Sequence, residues 1–433
     1  MNSKAEKTIR FQTVGCRLNQ YESEKMAAEL YPYGFRRAVK DEKADLTVIN
    51  TCTVTHRADS DCRYMIRRAY RHNPNGRIVV VGCFVDHEPE MLAAMEGVDV
   101  LIHNNEKNNI AAILPKKMPE LFDIEPDLNC STAVADFNHR NRAWLKVSDG
   151  CNQQCSFCII TIVRGKLINR PADQIIDEVK SLVSFGYNEV VLTGVNLGYY
   201  KDKTQGVKNL AGLCKLIMEK TDLYRVRLSS VEPQIVDNDL IQLFAGSDGR
   251  ICRHFHLPLQ SGSDKILRMM RRPYKSETFF KKAEAVKEVD PHTVVGADVI
   301  VGFPGETEDD FTQTCQVCES GLVDYLHVFS YSDRTGTKAS QMEGKVDSVE
   351  IKNRSQILND LSDRLIRSSL KKQIGETLEV ISEQKSDKAG SHFAVSDNYL
   401  KVKLPVSLET GKAIVKVKIE KADDDYLTGE IIS

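Results

Sequence analysis

The chain is predicted to fold as an α/β protein in three parts: an N-terminal parallel-sheet domain, a central full or partial (β/α) barrel and a small C-terminal β-barrel. Three observations predict it. Apolar β-branched runs alternate with helix-like patterns up to residue 124 and again over 143–370, which implies parallel strands joined by crossover helices. Between Pro115 and Asn141 this rhythm stops, and Pro115, Pro119 and Pro126 collect with Asn and Asp residues as in a linker. After Lys372 short alternating segments between turn clusters take over, with no long helix. The expected divisions are therefore 1–124, 125–142 (linker), 143–370 and 371–433.

In the first part, β-branched runs over 8–15, 46–51 and 78–82 are each followed directly by a cysteine: Cys16, Cys52 and Cys83. Helix-like patterns follow over 21–30, 58–71 and 88–95. An open parallel sheet binds its ligands beyond the carboxyl ends of its strands, where all three cysteines fall. One such cysteine is an ordinary small buried residue. Three at equivalent positions point to a shared centre. The central part is expected to place strands at 143–147, 189–193, 224–229, 254–259, 294–301 and 325–330, with helices such as 172–185 and 277–289 between them. The last part is expected to place strands at 377–384, 399–404, 413–420 and 426–432.

The loop after the first central strand carries Cys151, Cys155 and Cys158 in a C-x3-C-x2-C run, with Phe157 directly before the last cysteine. Three thiolates this close can hold three irons of a [4Fe-4S] cluster, whereas full ligation takes four. The fourth iron is left open for a substrate. A structural zinc site needs four ligands, and no His or further Cys follows nearby to complete one. The set Cys16, Cys52 and Cys83 again has three members and fits a second cluster of the same open kind.

Composition agrees with a globular enzyme: of 433 residues, 41% are hydrophobic and 28% charged. No apolar stretch reaches membrane-spanning length, no signal-peptide core follows the N-terminus, and a cytoplasmic location without membrane attachment is expected. Twelve cysteines in such a reducing compartment point to metal or catalytic use for some of them. The net charge of −2 argues against binding nucleic acid through bulk charge but leaves room for a local basic patch.

Taken in order, Thr13-Val14-Gly15-Cys16-Arg17-Leu18-Asn19, Asn50-Thr51-Cys52-Thr53, the triplet, the run from His256 to Asp264 and Gly302-Phe303-Pro304-Gly305-Glu306-Thr307 resemble the radical S-adenosylmethionine (SAM) methylthiotransferases over essentially the whole chain. Gly15 to Gln20, Leu192 to Gly198 and Ser229-Ser230-Val231-Glu232-Pro233 are most similar to the MtaB type of that family. The resemblance implies a flavodoxin-like first domain, a partial radical-SAM barrel and a TRAM-like terminal barrel that grips RNA. It implies insertion of a methylthio group at C2 of N6-threonylcarbamoyladenosine 37 in the anticodon loop of tRNA. The adenine C2–H bond resists any side-chain acid or base, so a cofactor-derived radical is required. Two [4Fe-4S] clusters on the two cysteine sets, S-adenosyl-L-methionine, a reductant such as flavodoxin or ferredoxin, and a sulfur donor are implied. No catalytic residue beyond the cluster ligands is. Phe157, Thr193, Gly194, Asn196 and Glu232 would face SAM, and Gln260 and Ser261 would line the site. Thr161 stands where much of the family carries Pro, which touches the loop after Cys158 and not the ligands.

Blander readings stand beside these. Glu232 can equally be a structural carboxylate paired with Arg225 or Arg227. His254 and His256, two apart on one strand, suggest a metal site less than one packing and one orienting ring. Cys315 and Cys318, with Cys62, Cys130, Cys214 and Cys252, read as buried small residues. For RNA, residues 57–77 hold Arg57, Arg63, Arg67, Arg68, Arg71 and Arg77 against Asp59 and Asp61; Arg63, Arg67 and Arg71 are the phosphate candidates. Arg268, Arg271, Arg272 and Lys275 form a second group. Residues 371–433 carry ten Lys and eleven acidic residues, so RNA contact there would need stacking, with Phe393 and Tyr399 as platforms. Two alternatives stay open: a sister enzyme acting on isopentenyladenosine in tRNA or on a ribosomal-protein aspartate, and a non-catalytic iron-sulfur RNA-binding protein.

Overall fold

Five parallel strands build the first sheet: β1 (Lys7–Thr13), β2 (Phe35–Arg37), β3 (Leu46–Thr51), β4 (Arg77–Gly82) and β5 (Val100–Ile102), in the order β2-β1-β3-β4-β5. The computed structural model describes residues 7–130, 134, 137, 141–383, 392–404 and 412–432. Two apolar clusters cover opposite faces of this sheet, so β3 is buried at every position instead of alternating. Helices Arg17–Leu30, His56–His72 and Cys83–His87 begin just past β1, β3 and β4. The helix expected over 88–95 is instead split between Cys83–His87 and Pro89–Ala93, because the Pro89 ring fits only a first turn. The edge strands β2 and β5 have three residues each, too few for an alternating pattern to register. Part of the expected linker, residues 131–133, 135, 136 and 138–140, lies outside the described residues. Phe137 within it is buried, with its ring edge-on to Trp144 at 6.1 Å and Tyr187 at 5.8 Å.

The central strands are β6 (Ala143–Lys146), β9 (Glu189–Thr193), β10 (Arg225–Leu228), β11 (His254–His256), β12 (Val294–Val301) and β13 (Tyr325–Ser330), with a short ribbon, β7 (Ser148–Asp149) and β8 (Ile168–Asn169), between the first two. They form two parallel sheets, β6-β9-β10 and β11-β12-β13. A bridge from Val226 to Ile251 and a Val231 N–H bond to the His256 carbonyl at 2.9 Å join them into one open barrel in chain order. Strand β11 stops short of residue 259 because Pro258 has no N–H for the ladder. Alternation divides the strands cleanly. Val190, Leu192, Val226, Leu228, Phe255, Val295 and Ala297 pack in the main apolar core, while Glu189, Arg225, Arg227, His254, His256, Asp298 and Tyr325 bond to one another in the lumen. Helix Ser348–Lys371, which the sequence pattern did not single out, runs along β13 and leads into the last part.

There β14 (Thr377–Ser382), β15 (His392–Ser396), β16 (Lys401–Leu404), β17 (Ile414–Ala422) and β18 (Leu427–Ile431) close a barrel in the order β14-β15-β16-β18-β17. It has one strand, β15, beyond those expected, and residue 384 of the expected first strand lies outside the described residues. The barrel is bonded to the amino ends of the central strands. Arg227 donates to the carbonyls of Ser396 and Asp397 at 2.9 Å each, Arg253 Nε to Asp397 at 2.6 Å, and Asn398 to the His292 carbonyl at 3.2 Å. Among the described residues no helix is long and apolar enough to cross a membrane.

Candidate functional site

Beyond the carboxyl ends of β1, β3 and β4, three strand-to-helix corners present Cys16, Cys52 and Cys83; beyond β6, the loop bracketed by β7 and β8 presents Cys151, Cys155 and Cys158. All six line one cavity of about 590 Å³. Close backbone approach makes this convergence possible. Gly15 sits at φ +100°, and a Cβ there would lie 2.7 Å from that of Cys52. On the other wall a Cβ on Gly194 would lie 2.3 Å from Ser148 Oγ, so Thr193, Gly194 and Asn196 can press against the loop of the triplet. Asn196 Nδ2 donates to Cys151 Sγ at 3.4 Å, and its Oδ1 is buried without a partner.

Burial pushes the Cys52 and Cys158 thiols up to about 12 and raises Cys83 and Cys155 as well. Two arginines oppose this. Arg272 Nη1 donates to Cys155 Sγ at 3.1 Å and ion-pairs with Glu232, and Arg164 Nε donates to Cys83 Sγ at 3.2 Å. Glu232 thus pairs with neither Arg225 nor Arg227; both of those bond Glu189 at 2.7 Å. Burial raises the Glu232 carboxyl against the pull of Arg272. Arg272, grouped by sequence with RNA-binding cations, is buried and faces the cluster loop, while Arg268, Arg271 and Lys275 are exposed.

Sequence reasoning missed the charges between the two cysteine sets. Buried Glu22 accepts from Lys146 at 2.8 Å, from Arg164 at 3.1 Å and from Lys107, and Arg164 also reaches Asp149 at 2.9 Å. Burial alone would raise the Glu22 carboxyl, but Arg164, Lys107 and Lys146 outweigh it and hold it well below the usual range. Three cations against the carboxylates of Glu22 and Asp149 leave one positive charge beside Cys83. The only signal in the chain was Arg164 itself, close after Cys158.

The cavity extends into the barrel lumen. Gln260 lines it, with its backbone at φ +66° where the Gln260–Val299 bridge turns the chain. Ser261 does not: fully buried, it lies 3.3 Å from Thr314 Oγ1 and receives the Ser263 N–H at 3.2 Å. Phe157 lines the wall and packs against Ile266, Met270 and Phe303. His254 Nε2 lies 2.8 Å from the Tyr325 hydroxyl; His256 Nδ1 lies 2.8 Å from Ser230 Oγ and its Nε2 3.4 Å from Asp298. Both histidines therefore orient neighbours. His327 adds a third donor, within 4.8 Å of those of His256 and Asp298.

Of the RNA candidates, Arg67 and Arg71 are exposed one turn apart on helix His56–His72, while Arg63 is half-buried, bonded to Ser60 and stacked toward Phe84. The aromatic platforms are displaced. Phe393 is 6% exposed and packs edge-on to Tyr426, and Tyr399 turns inward, its ring 4.6 Å from that of His254. Cys214, Cys252 and Cys318 are buried as expected, but Cys130 and Cys315 are only half-buried, and Cys62 Sγ donates to the Cys52 carbonyl at 3.4 Å.

Residues 145–318 match the model of the radical SAM superfamily, and residues 8–103 match one described as uncharacterized protein family UPF0004. The radical S-adenosylmethionine methyltransferase TsrM from Kitasatospora setae superposes with a TM-score of 0.55 at 13% identity, over 75% of this chain and 73% of that one. The cobalamin-dependent radical enzyme OxsB gives 0.52 at 10% identity, over 84% and 56%. These likenesses carry the fold alone, and with the family match they define a radical-SAM protein. "Threonylcarbamoyladenosine tRNA methylthiotransferase MtaB" of Bacillus subtilis (strain 168) is 36% identical over 98% of this chain and 96% of its own length, and its namesake from Thermotoga maritima is 35% identical over 87% of each. "tRNA-2-methylthio-N(6)-dimethylallyladenosine synthase" of Thermodesulfovibrio yellowstonii is 30% identical over 99% of each. The chain belongs to the radical-SAM methylthiotransferases, in their MtaB branch.

Proposed function

We propose that this protein places a methylthio group on C2 of N6-threonylcarbamoyladenosine 37 in tRNA. The carrying observation is that two three-cysteine sets, one from each α/β part, open onto one cavity. In this reading Cys151, Cys155 and Cys158 hold one [4Fe-4S] cluster and Cys16, Cys52 and Cys83 the other. The donor sets fit: each offers three sulfurs, and Arg272 and Arg164 beside them suit the negative charge of thiolate-bound iron. Ligation would release the protons that burial holds on Cys52 and Cys158. When bound, the clusters and SAM supply the one-electron chemistry and the sulfur that an unactivated C–H bond requires.

The chain's own residues position and shield. Thr193, Gly194, Asn196 and Phe157 form the wall against which SAM would lie, and the Glu232–Arg272 pair offers that wall a fixed dipole. The division of labour follows the three parts: 1–124 for the second cluster, 143–370 for SAM, and 371–433 for the base of the cavity. Exposed Arg67 and Arg71, on the helix after the Cys52 corner, would meet the anticodon-stem phosphates. A reductant such as flavodoxin or ferredoxin and a sulfur donor complete the set, in the cytoplasm where tRNA is found.

Nucleoside mass spectrometry of tRNA from cells with and without the gene tests this. The 2-methylthio derivative of threonylcarbamoyladenosine should vanish with the gene, and reconstituted enzyme should restore it in vitro. Loss of the isopentenyl-derived product instead would sink the substrate assignment.

A further inference from the structure

We propose that Arg17, Tyr399 and His254 form a carboxylate-binding corner of the cavity, which receives the acid end of the threonylcarbamoyl side chain; this rests on the substrate reading above. Three arginines line the cavity, and two are already committed: Arg164 to Glu22 and Asp149, Arg272 to Glu232. Arg17 is different. Among the described residues it has no carboxylate partner, and the contacts printed for it are with Tyr399, whose hydroxyl accepts from Nη2 and whose ring lies 5.3 Å from the guanidinium carbon. A guanidinium held through one edge and one face keeps its remaining N–H groups in a fixed fork, the arrangement that takes a carboxylate in two hydrogen bonds.

His254 supplies the second point. It is 2% exposed and lines the cavity, its Nε2 is engaged with the Tyr325 hydroxyl, and its Nδ1 is buried with no partner. A buried donor without a partner costs free energy unless a ligand completes it. Tyr399 fixes both groups. It stands at φ +70° in a turn whose Asn398 is bonded to the His292 carbonyl and to Gln373 at 3.0 Å, and Arg227 supports the other side of its ring at 5.2 Å. The terminal barrel thereby contributes a residue to the catalytic cavity. An apolar isopentenyl chain at the same place would leave Arg17 and His254 unpaired, so the corner discriminates between the two modified adenosines.

Fluorescence anisotropy with reconstituted holoenzyme tests the corner directly. Three anticodon stem-loops are compared, bearing threonylcarbamoyladenosine, its methyl ester and isopentenyladenosine. The wild type should bind the acid about tenfold to a hundredfold more tightly than the ester, the range for losing a charge-assisted bidentate contact. Arg17→Gln should bind acid and ester alike, and Tyr399→Phe, which keeps the ring and loses the hydroxyl, should fall between. An acid-to-ester ratio unchanged in Arg17→Gln, or a wild type indifferent to esterification, overturns the proposal. Equal weakening of both loops by Arg17→Gln also overturns it, since the corner would then serve another carboxylate such as that of SAM. A wild type that prefers the isopentenyl loop overturns the substrate reading itself.

Discussion

Arg164 joins the two halves of the site through one side chain, with Nε on the Cys83 sulfur and both Nη atoms on carboxylates or Asn19. Removing one member of a buried ion network leaves the others uncompensated, at a cost of about 3 to 5 kcal/mol. Arg164→Met is therefore expected to lower the unfolding midpoint clearly and to reduce retained iron, whereas Arg164→Lys keeps the charge but not the fork and should fall between. Calorimetry with iron counting checks both; an unchanged midpoint in Arg164→Met would remove the network from the stability of the domain contact. His256 yields a pH prediction. Burial lowers its ring to about 4, against about 6.5 in an unfolded chain, so the unfolded state takes up the proton first as pH falls. The contribution is whole above about pH 6.5 and is lost as pH falls through about 4, amounting to about 2 kcal/mol between about pH 7 and pH 5. Denaturant titrations should show that loss shrinking in His256→Gln.

At the scale of elements, the cysteines are placed by strand ends. Corners after β1, β3 and β4 are equivalent positions in one parallel sheet, so replacing Cys16, Cys52 and Cys83 by Ala removes one whole ligand set and leaves the other intact. Anaerobic reconstitution should give about eight irons in the wild type and about four in the triple variant, which should still cleave SAM but form no methylthiolated product. Wild-type protein saturating at about four would exclude two clusters. Helix His56–His72 carries a different prediction, because only part of its arginine row is free. Arg67 and Arg71 are exposed, so replacing both by Gln should flatten the dependence of tRNA affinity on salt by about two units of slope, whereas Arg63, tied to Ser60 and Phe84, should contribute less.

At the scale of the molecule, the terminal barrel is not a detachable grip. Arg225 and Arg227 are fully buried between Glu189 and the carbonyls of the barrel, and Tyr399 enters the lumen beside them. Deleting residues 372–433 would open this base to water and strip Arg227 of two carbonyl partners. The truncated protein is expected to unfold at lower denaturant with a broadened transition and to lose iron, not merely affinity for tRNA. A truncated chain with wild-type stability and both clusters would restore the view of an independent RNA module.

The sequence by itself determined the chemistry that is local. Ligand spacing in the triplet, cysteines at the ends of β-branched runs and the change of texture after Lys372 each depend on neighbours within a few residues, and each was legible. The three-part α/β fold followed from the same short-range periodicities. What only the tertiary structure decided was the pairing of buried charges. Arg164 meets Glu22 across 142 positions, and Arg17 meets Tyr399 across 382, distances at which no pattern in the chain carries information about a partner. The errors have the same cause. Glu232 was matched with the arginines nearest in sequence, Ser261 was placed in the cavity because Gln260 beside it is there, and Phe393 and Tyr399 were set outward on a barrel whose attachment was unknown. Burying a charge demands a partner, but topology alone chooses which one.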